Sequence, residues 1–224
     1  EFGSTGFGVA HATKVAAEYA GIDLKGATVA IHGFGNVGTF TYQFLDDMGA
    51  RVVALADSSG AVYSPKGFDR KTMDLHVAER KKLAEFPEGK TISIQEFWNT
   101  PVDILIPASV TDVITEDNKD SIRAKIIVEA ANIPMSEEIE EWFYKKGVVV
   151  VPDFVANAGG VISSYAEYRG YNPKRMFELV ERKVKQATSR VLKESAKSKR
   201  PPRAVAMDIA RALVKKGMEK RDGR

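Results

Sequence analysis

Three glycines set the first chemical expectation. In Thr28-Val-Ala-Ile-His-Gly-Phe-Gly-Asn-Val-Gly38, an apolar run ends in Gly33, Gly35 and Gly38 at G-x-G-x-x-G spacing, and a helix-period segment starts at once. In such a strand–turn–helix Gly33 turns sharply, Gly35 lets a pyrophosphate approach the backbone, and Gly38 lets the helix pack tightly on the sheet. The helix start adds unpaired N–H groups and a partial positive charge, both suited to phosphate. A tight turn and nothing more is the competing reading.

Other polar residues follow apolar runs in the same way. Asp57 ends the next run, 19 residues after Gly38. A carboxylate there accepts hydrogen bonds from adenine ribose hydroxyls and repels a 2′-phosphate, which favours NAD over NADP. Alternatively Asp57 only opens the Ser58-Ser59-Gly60 turn, and Ser58 and Ser59 could still receive a phosphate. Asn132, before Ile133-Pro134, offers an amide to a nicotinamide ribose or is a plain turn residue. Asn157 opens Ala158-Gly159-Gly160, either as an N-cap or beside glycines that admit a ligand to the backbone. The three histidines promise less: His32 is structural, and His11 and His76 lie exposed on helices. No spacing suggests a metal site or a nucleophile elbow.

The elements that position these residues are legible from periodicity. Val9, Ala12, Thr13, Ala16, Ala17 and Ala20 form one narrow helical face of small residues, stopped by Gly21. Thr28–His32 is a strand, and Val37, Phe40, Thr41, Phe44, Leu45 and Met48 mark the crossover helix to a strand at Arg51–Ala56. That makes a βαβ unit of the usual length. A polar helix is expected over roughly Asp69–Glu85. Ile104–Ile106, Ile126–Val128 and Val148–Val151 are short β-branched runs suited to burial on both faces. A helix spans about Ser136–Lys146, capped by Ser136 and stopped by Gly147. The remainder is helical: a long helix from about Pro173 with a seam at Phe177, Val180, Val184, Ala187 and Val191, a break at Pro201-Pro202, and a last helix over about Arg203–Lys216. Five strands alternating with helices define an α/β fold with a doubly wound, mostly parallel sheet and C-terminal helices. Ligands of such sheets bind beyond the carboxyl ends of the strands, and a small or polar loop follows every strand.

Composition bounds the function. The chain has 224 residues, 44% of them hydrophobic, with 33 basic against 30 acidic side chains and a net charge of +3. That length fits one α/β domain or a domain with an appendage. The small net charge gives no global field for nucleic acid or an anionic membrane. From Lys197 onward ten Lys/Arg face three Asp/Glu, which reads as a solvated helix face rather than a nucleic-acid tail. The absence of cysteine agrees with a reducing, cytoplasmic setting, no apolar run is long enough to span a bilayer, and no secretory signal precedes the first helix. Few amides and abundant charge lean towards a thermophilic source. Residues Glu1 to Ser4 have the form of a cloning scar, so that residues 5–224 are read as a fragment comprising one dinucleotide-binding domain, with 173–224 as a C-terminal helical extension.

Together the motifs resemble a family. Thr5-Gly-Phe-Gly-Val9, Gly33-Phe-Gly-Asn-Val-Gly38, Asp57-Ser58, Pro107-Ala108, Glu129-Ala-Ala-Asn132 and Pro152-Asp-Phe-Val-Ala-Asn-Ala-Gly-Gly-Val161 occur in order, followed by Ser164-Tyr165. Over Thr5 to Glu167 this resembles the Rossmann-like cofactor-binding domain of hexameric glutamate dehydrogenases. Leucine and phenylalanine dehydrogenases share the Asn-Ala-Gly-Gly element but usually lack the serine–tyrosine pair. The resemblance implies that Gly35, Asn36 and Val37 contact the pyrophosphate and that Asp57 and Ser58 meet the adenosine ribose. It places Ala108 and Ser109 along the adenosine side, Asn132 and Asn157 at the nicotinamide end, Thr5 near the carboxamide, and Ser164 towards the substrate carboxylate. The implied reaction is reversible hydride transfer between the α-carbon of glutamate and NAD or NADP, giving 2-oxoglutarate and ammonia in a homo-hexameric parent. The family's lysine-containing glycine-rich segment, in a separate substrate domain, has no counterpart here, so the chain is expected to bind cofactor without catalysis. Phe7 stands where the family often has arginine, Ala166 and Tyr168 depart from its usual aromatic pattern, and Lys199–Lys220 matches poorly. The alternatives are a leucine- or phenylalanine-type dehydrogenase domain and a non-catalytic nucleotide-binding module.

Overall fold

The computed structural model describes residues 3–222; Glu1 and Phe2 of the expected scar lie outside them. At its centre is β1 (Thr28–His32), joined through α2 (Asn36–Asp47) to β2 (Arg51–Asp57). The strands β5 (Ile104–Pro107), β6 (Ile126–Val128) and β7 (Val149–Val151) continue the sheet on the other side of β1. All five expected strands form, and they run parallel in the order β2-β1-β5-β6-β7. Thr28 lies opposite Arg51, Val29 opposite Ile104, and Ile126 opposite Val149.

The sheet has two further strands that periodicity does not reveal. β3 (Gly60–Tyr63) and β4 (Lys90–Ile92) add antiparallel to the outer edge of β2. Each is too short to show alternation, and the turn-forming Ser58-Ser59 masks the first. The expected helix over Asp69–Glu85 is correspondingly shorter. It is α3 (Arg70–Ala78), ended near Arg80 at φ 54, followed by a 3₁₀ turn at Leu83–Glu85. A second unanticipated element, α4 (Ile94–Asn99), begins with a capping box in which Ser93 and Glu96 bond each other's backbone N–H. That pattern was readable as Ser-x-x-Glu.

Strand side chains divide between two apolar layers, as burial on both faces requires. Val29, Ile31, Ile104, Ile106, Ile126 and Val128 face one layer, and Ala30, Leu105, Ile127 and Val150 the other. The first layer is covered by α1 (Ser4–Tyr19), α2 and α8 (Pro173–Ser198), the second by α4 and α5 (Glu137–Lys145). The small-residue face of α1 buries Val9, Ala12, Thr13, Ala16 and Ala17, while Ala20 is its exposed C-cap. Ser136 caps α5 as expected, accepting from the Ile139 N–H, and Gly147 follows the helix at φ 81. Two short helices, α6 (Asp153–Ala156) and α7 (Gly159–Tyr168), lead from β7 to α8. The long helix stops at Ser198 with Lys199 left-handed at φ 53, before the prolines, and α9 (Pro202–Asp222) closes the chain. Among the described residues no helix is long and apolar enough to cross a membrane.

The turn from β1 into α2 is the tightest packing in the fold. A Cβ on Gly38 would sit 1.9 Å from the carbonyl oxygen of Gly33 and 3.5 Å from Ile31. Alanine improves helix propensity over glycine by up to about 1 kcal/mol, but here the obstacle is backbone. Gly38→Ala is therefore expected to destabilise the domain by about 1–3 kcal/mol. It should appear as a lower urea midpoint at unchanged slope.

Candidate functional site at the carboxyl edge of the sheet

The three glycines have three separate reasons to be glycine. Gly33 is at φ 105 and its N–H donates to the Ala56 carbonyl at 2.7 Å. A Cβ there would come 2.5 Å from the backbone nitrogen of Ser109, so the loop after β5 presses directly on the turn. Gly38 is fixed by the contact already described. Gly35, the N-cap of α2, is at φ −84, exposed, and a Cβ added to it would meet nothing within 4 Å. Packing explains the first and third glycines, whereas the second faces open space in front of a helix N-terminus that has no side-chain cap. That is the geometry an anionic group needs to reach the amides of Asn36 and Val37; Asn36 is exposed, and Val37 packs partly on the core.

Asp57 serves its own turn. Its Oδ1 accepts from the Ser59 N–H at 2.7 Å and from the Ser59 hydroxyl, and its Oδ2 accepts from the Leu83 N–H at 3.3 Å. The carboxylate thus ties the 3₁₀ turn to the end of β2. Each carboxylate oxygen has more than one lone pair, so these bonds leave acceptor capacity for ribose hydroxyls. Ser58 beside it is exposed.

On the other side of β1, Ala108 and Ser109 are half-buried, and the Ser109 hydroxyl lies 2.9 Å from Nδ1 of His32. The His32 ring stacks on Trp98 at 4.6 Å between centroids. Burial disfavours its cation and lowers its pKa to about 4. This contact, which no sequence spacing announces, orients the Ser109 hydroxyl from behind.

Asn132 and Asn157, 25 residues apart, meet. Nδ2 of Asn157 donates to Oδ1 of Asn132 at 2.8 Å and, at 3.4 Å, to the Ala130 carbonyl. Asn157 is therefore the C-cap of α6 and not the N-cap of α7, which is Ala158. Ile133 is held left-handed at φ 47, a conformation costing on the order of 1–3 kcal/mol for a β-branched residue. Its N–H is anchored by Oδ2 of Asp153 at 2.8 Å.

Ligand access was one of two readings of Gly159 and Gly160, and what approaches them is the chain itself. A Cβ on Gly159 would lie 2.1 Å from the Ser4 carbonyl oxygen, and one on Gly160 would lie 2.7 Å from Oγ1 of Thr5. These glycines let α7 dock against the first turn of α1, a contact reinforced by the Ser4–Ser163 hydroxyl bond at 2.8 Å. Thr5 is thereby brought beside Ser164, and together with Glu167, Tyr171 and Met176 they line a cleft of about 480 Å³.

Two histidine expectations are corrected. His11 and His76 are buried, not exposed, each ring packing edge-on against a phenylalanine. His11 lies edge-on to Phe7 at 4.4 Å, and burial lowers its pKa to about 4 against the opposing pull of Glu181. His76 bonds the Lys82 carbonyl at 2.9 Å and abuts Phe86. Phe7 itself joins α1 to α2 and α8 through edge contacts with Phe44 and Phe177. Ala166 is fully buried, and Tyr168 is exposed.

The sequence reading also missed a buried ionic cluster behind the asparagines. Arg203, on the first turn of α9, reaches Glu129 through Nη2 at 2.8 Å, Asp153 through Nη2 at 3.0 Å, and Glu140 through Nε. Burial, with the neighbouring Glu140 charge, pushes the Glu129 pKa well up, and burial raises that of Glu140. Burial also disfavours the guanidinium charge, but the carboxylates of Glu140, Glu129 and Asp153 outweigh it. No spacing links positions 129, 140, 153 and 203, although Glu129 and Asp153 lie inside motifs already singled out.

These features belong to a class: a doubly wound sheet whose glycine turn and amide-bearing loops share one rim on either side of its central strand. The family model for glutamate, leucine, phenylalanine and valine dehydrogenases matches residues 1–222, and the chain belongs to that family. The match extends through the C-terminal helices. A glutamate dehydrogenase of Aeropyrum pernix is 48% identical over 165 residues, 74% of this chain and 40% of that protein. An NAD-specific glutamate dehydrogenase of Clostridioides difficile is 43% identical over 74% of this chain and 40% of its own length. An NADP-specific one of Saccharolobus shibatae is 42% identical over 74% and 39%. Among solved structures, the hetero-hexameric glutamate dehydrogenase of Thermus thermophilus superposes with a TM-score of 0.80 at 26% identity, covering 92% of this chain and 50% of that one. The chain thus spans about 40% of the length of the curated relatives it matches.

The His32 environment makes a direct prediction. Its folded pKa of about 4 lies below the ordinary histidine value of 6.5, so its contribution to stability is full above pH 6.5 and is lost as pH falls through 4. In an NMR titration the His32 ring protons should stay unshifted from pH 8 to about 5.5 and move near pH 4; a midpoint between 6 and 7 contradicts the buried, Ser109-bonded ring.

Proposed function

We propose that this chain is the nicotinamide-dinucleotide-binding domain of a glutamate dehydrogenase, with NAD preferred over NADP. The observation that carries the reading is Gly35: the middle glycine of the turn opens onto free space at an uncapped helix N-terminus, while its two neighbours are filled by protein. A diphosphate fits there, within reach of the amides of Asn36 and Val37. Asp57 and Ser58 stand at the end of β2 for the adenosine ribose, Gly33, Gly38, Ala108 and Ser109 shape the turn and the adenosine side, and the Asn132–Asn157 pair takes the nicotinamide end. Thr5 and Ser164 share the neighbouring cleft, where Thr5 meets the carboxamide and Ser164 the substrate carboxylate.

When bound, the dinucleotide supplies the hydride acceptor for oxidation of an amino-acid α-carbon, and the resulting imine hydrolyses, for glutamate, to 2-oxoglutarate and ammonia. This chain's own residues orient the ring and hold the phosphates, and the general base is assigned to the parent's substrate domain. The names of the relatives support glutamate as the parent's substrate, and the Thermus thermophilus enzyme supports a hexameric parent. NAD-specific and NADP-specific relatives are almost equally similar, so the cofactor preference rests on Asp57. An ionised carboxylate there, already accepting from Ser59, repels a 2′-phosphate.

Titration calorimetry on this chain should show saturable NAD binding, with NADP weaker by about tenfold or more. The reverse order would remove Asp57 from the ribose site. Gly35→Val should abolish binding at unchanged melting temperature, because its side chain enters only the open space; retained binding would place the diphosphate elsewhere. In a glutamate-oxidation assay these 224 residues alone should produce no NADH, and turnover would contradict the assignment of catalysis to a separate substrate domain.

A further inference from the structure

Arg203 lies far along the chain from the rim, yet only one side chain separates it from the asparagines. Its guanidinium Nη2 bonds Asp153 Oδ1 at 3.0 Å and Glu129 Oε2 at 2.8 Å. Asp153 uses its other oxygen, Oδ2, to accept from the Ile133 N–H at 2.8 Å, which is the peptide joining Asn132 to Ile133. The backbone carbonyl of Asp153 accepts from the Asn157 N–H, also at 2.8 Å. Glu129 Oε2 in turn accepts from the Asp153 N–H at 2.8 Å. Asp153 is thus clamped on one side by Arg203 and Glu129, and on the other it sets the backbone of both asparagines. The clamp is stiff because it is dry: Glu129 is 0% exposed and Asp153 6%.

We propose that Arg203 is a positioning residue for the Asn132–Asn157 pair, holding Asp153 so that the two amides face a nicotinamide ribose. The inference rests on the reading that this rim takes the nicotinamide end of a dinucleotide. Without the guanidinium, three buried carboxylates lose the cationic partner they share. Asp153 is then free to turn away, and Ile133 loses the anchor that keeps it left-handed. Glu140, on α5, accepts from the guanidinium Nε and bonds neither asparagine. A lysine retains the charge but lacks the planar fork that serves several carboxylates at once.

Saturation-transfer NMR with NAD separates the two ends of the ligand. In the unsubstituted chain both adenine and nicotinamide protons should receive saturation. In Arg203→Lys, at unchanged near-UV circular dichroism, the nicotinamide signal relative to adenine should fall at least about twofold, with Asn132→Ala giving the same selective loss. Glu140→Gln, which perturbs the cluster away from the asparagines, should leave the ratio as it was. A second variant that removes cation and carboxylate together, Arg203→Met with Glu129→Gln, should reproduce the loss and guards against misfolding of the first. An unchanged ratio in either folded Arg203 variant overturns the inference, as does an equal drop in Glu140→Gln. Adenine contact alone in the unsubstituted chain also overturns it while leaving the dinucleotide reading standing. No contact at either end refutes that reading itself.

Discussion

Backbone pressed against backbone at the start of α2 is the constraint on which this structure depends. The carbonyl of Gly33 occupies the space where a Gly38 side chain would lie, and Ser109 from the loop after β5 fills the space beside Gly33. Three segments therefore meet at main-chain distance: the end of β1, the first turn of α2, and the loop after β5. Such contact packs the first turn of the helix directly against the end of the central strand. Gly35 sits outside this contact, and that exception makes the turn more than a tight reversal of the chain.

A second layer of organisation lies behind the rim. Three of the polar residues at the crevice are held from behind. His32 holds Ser109, the 3₁₀ turn closes on Asp57, and Asp153 holds the peptide after Asn132. The Arg203 cluster is the largest of these supports. A buried charge cluster is poor evidence for stability in itself, since desolvation offsets much of the attraction. Its value here is geometric. It fixes a strained residue, Ile133, whose left-handed backbone would otherwise relax, and so the C-terminal helix α9 reaches the rim through side chains although its own exposed half, residues 211–219, lies away from the core.

The docking of α7 on α1 shows how one sequence feature admits two physical explanations. A pair of glycines after an asparagine reads equally as an opening for a ligand or as an opening for another helix. The close approach is real, and the approaching group is the Ser4–Thr5 backbone and hydroxyl. The cleft between Thr5 and Ser164 is a consequence of that docking. Phe7 becomes intelligible in the same way, as the hub of an aromatic contact among α1, α2 and α8.

What the sequence by itself determined is whatever depends on neighbours along the chain. The five parallel strands, the crossover helix, the caps at Ser136 and Gly147 and the conformational need at Gly33 all follow from short-range pattern, because burial on both faces and backbone sterics act on each segment locally. The antiparallel pair β3–β4 was not legible, since strands of three or four residues exist only by pairing with an edge already built. Likewise the neutral, buried state of His11, the amide bond between Asn132 and Asn157, and the convergence of residues 129, 140, 153 and 203 have no signature in spacing. The last two arise from contacts across 24 to 74 residues. Only the folded sheet decides which polar groups lose water together and must therefore find one another.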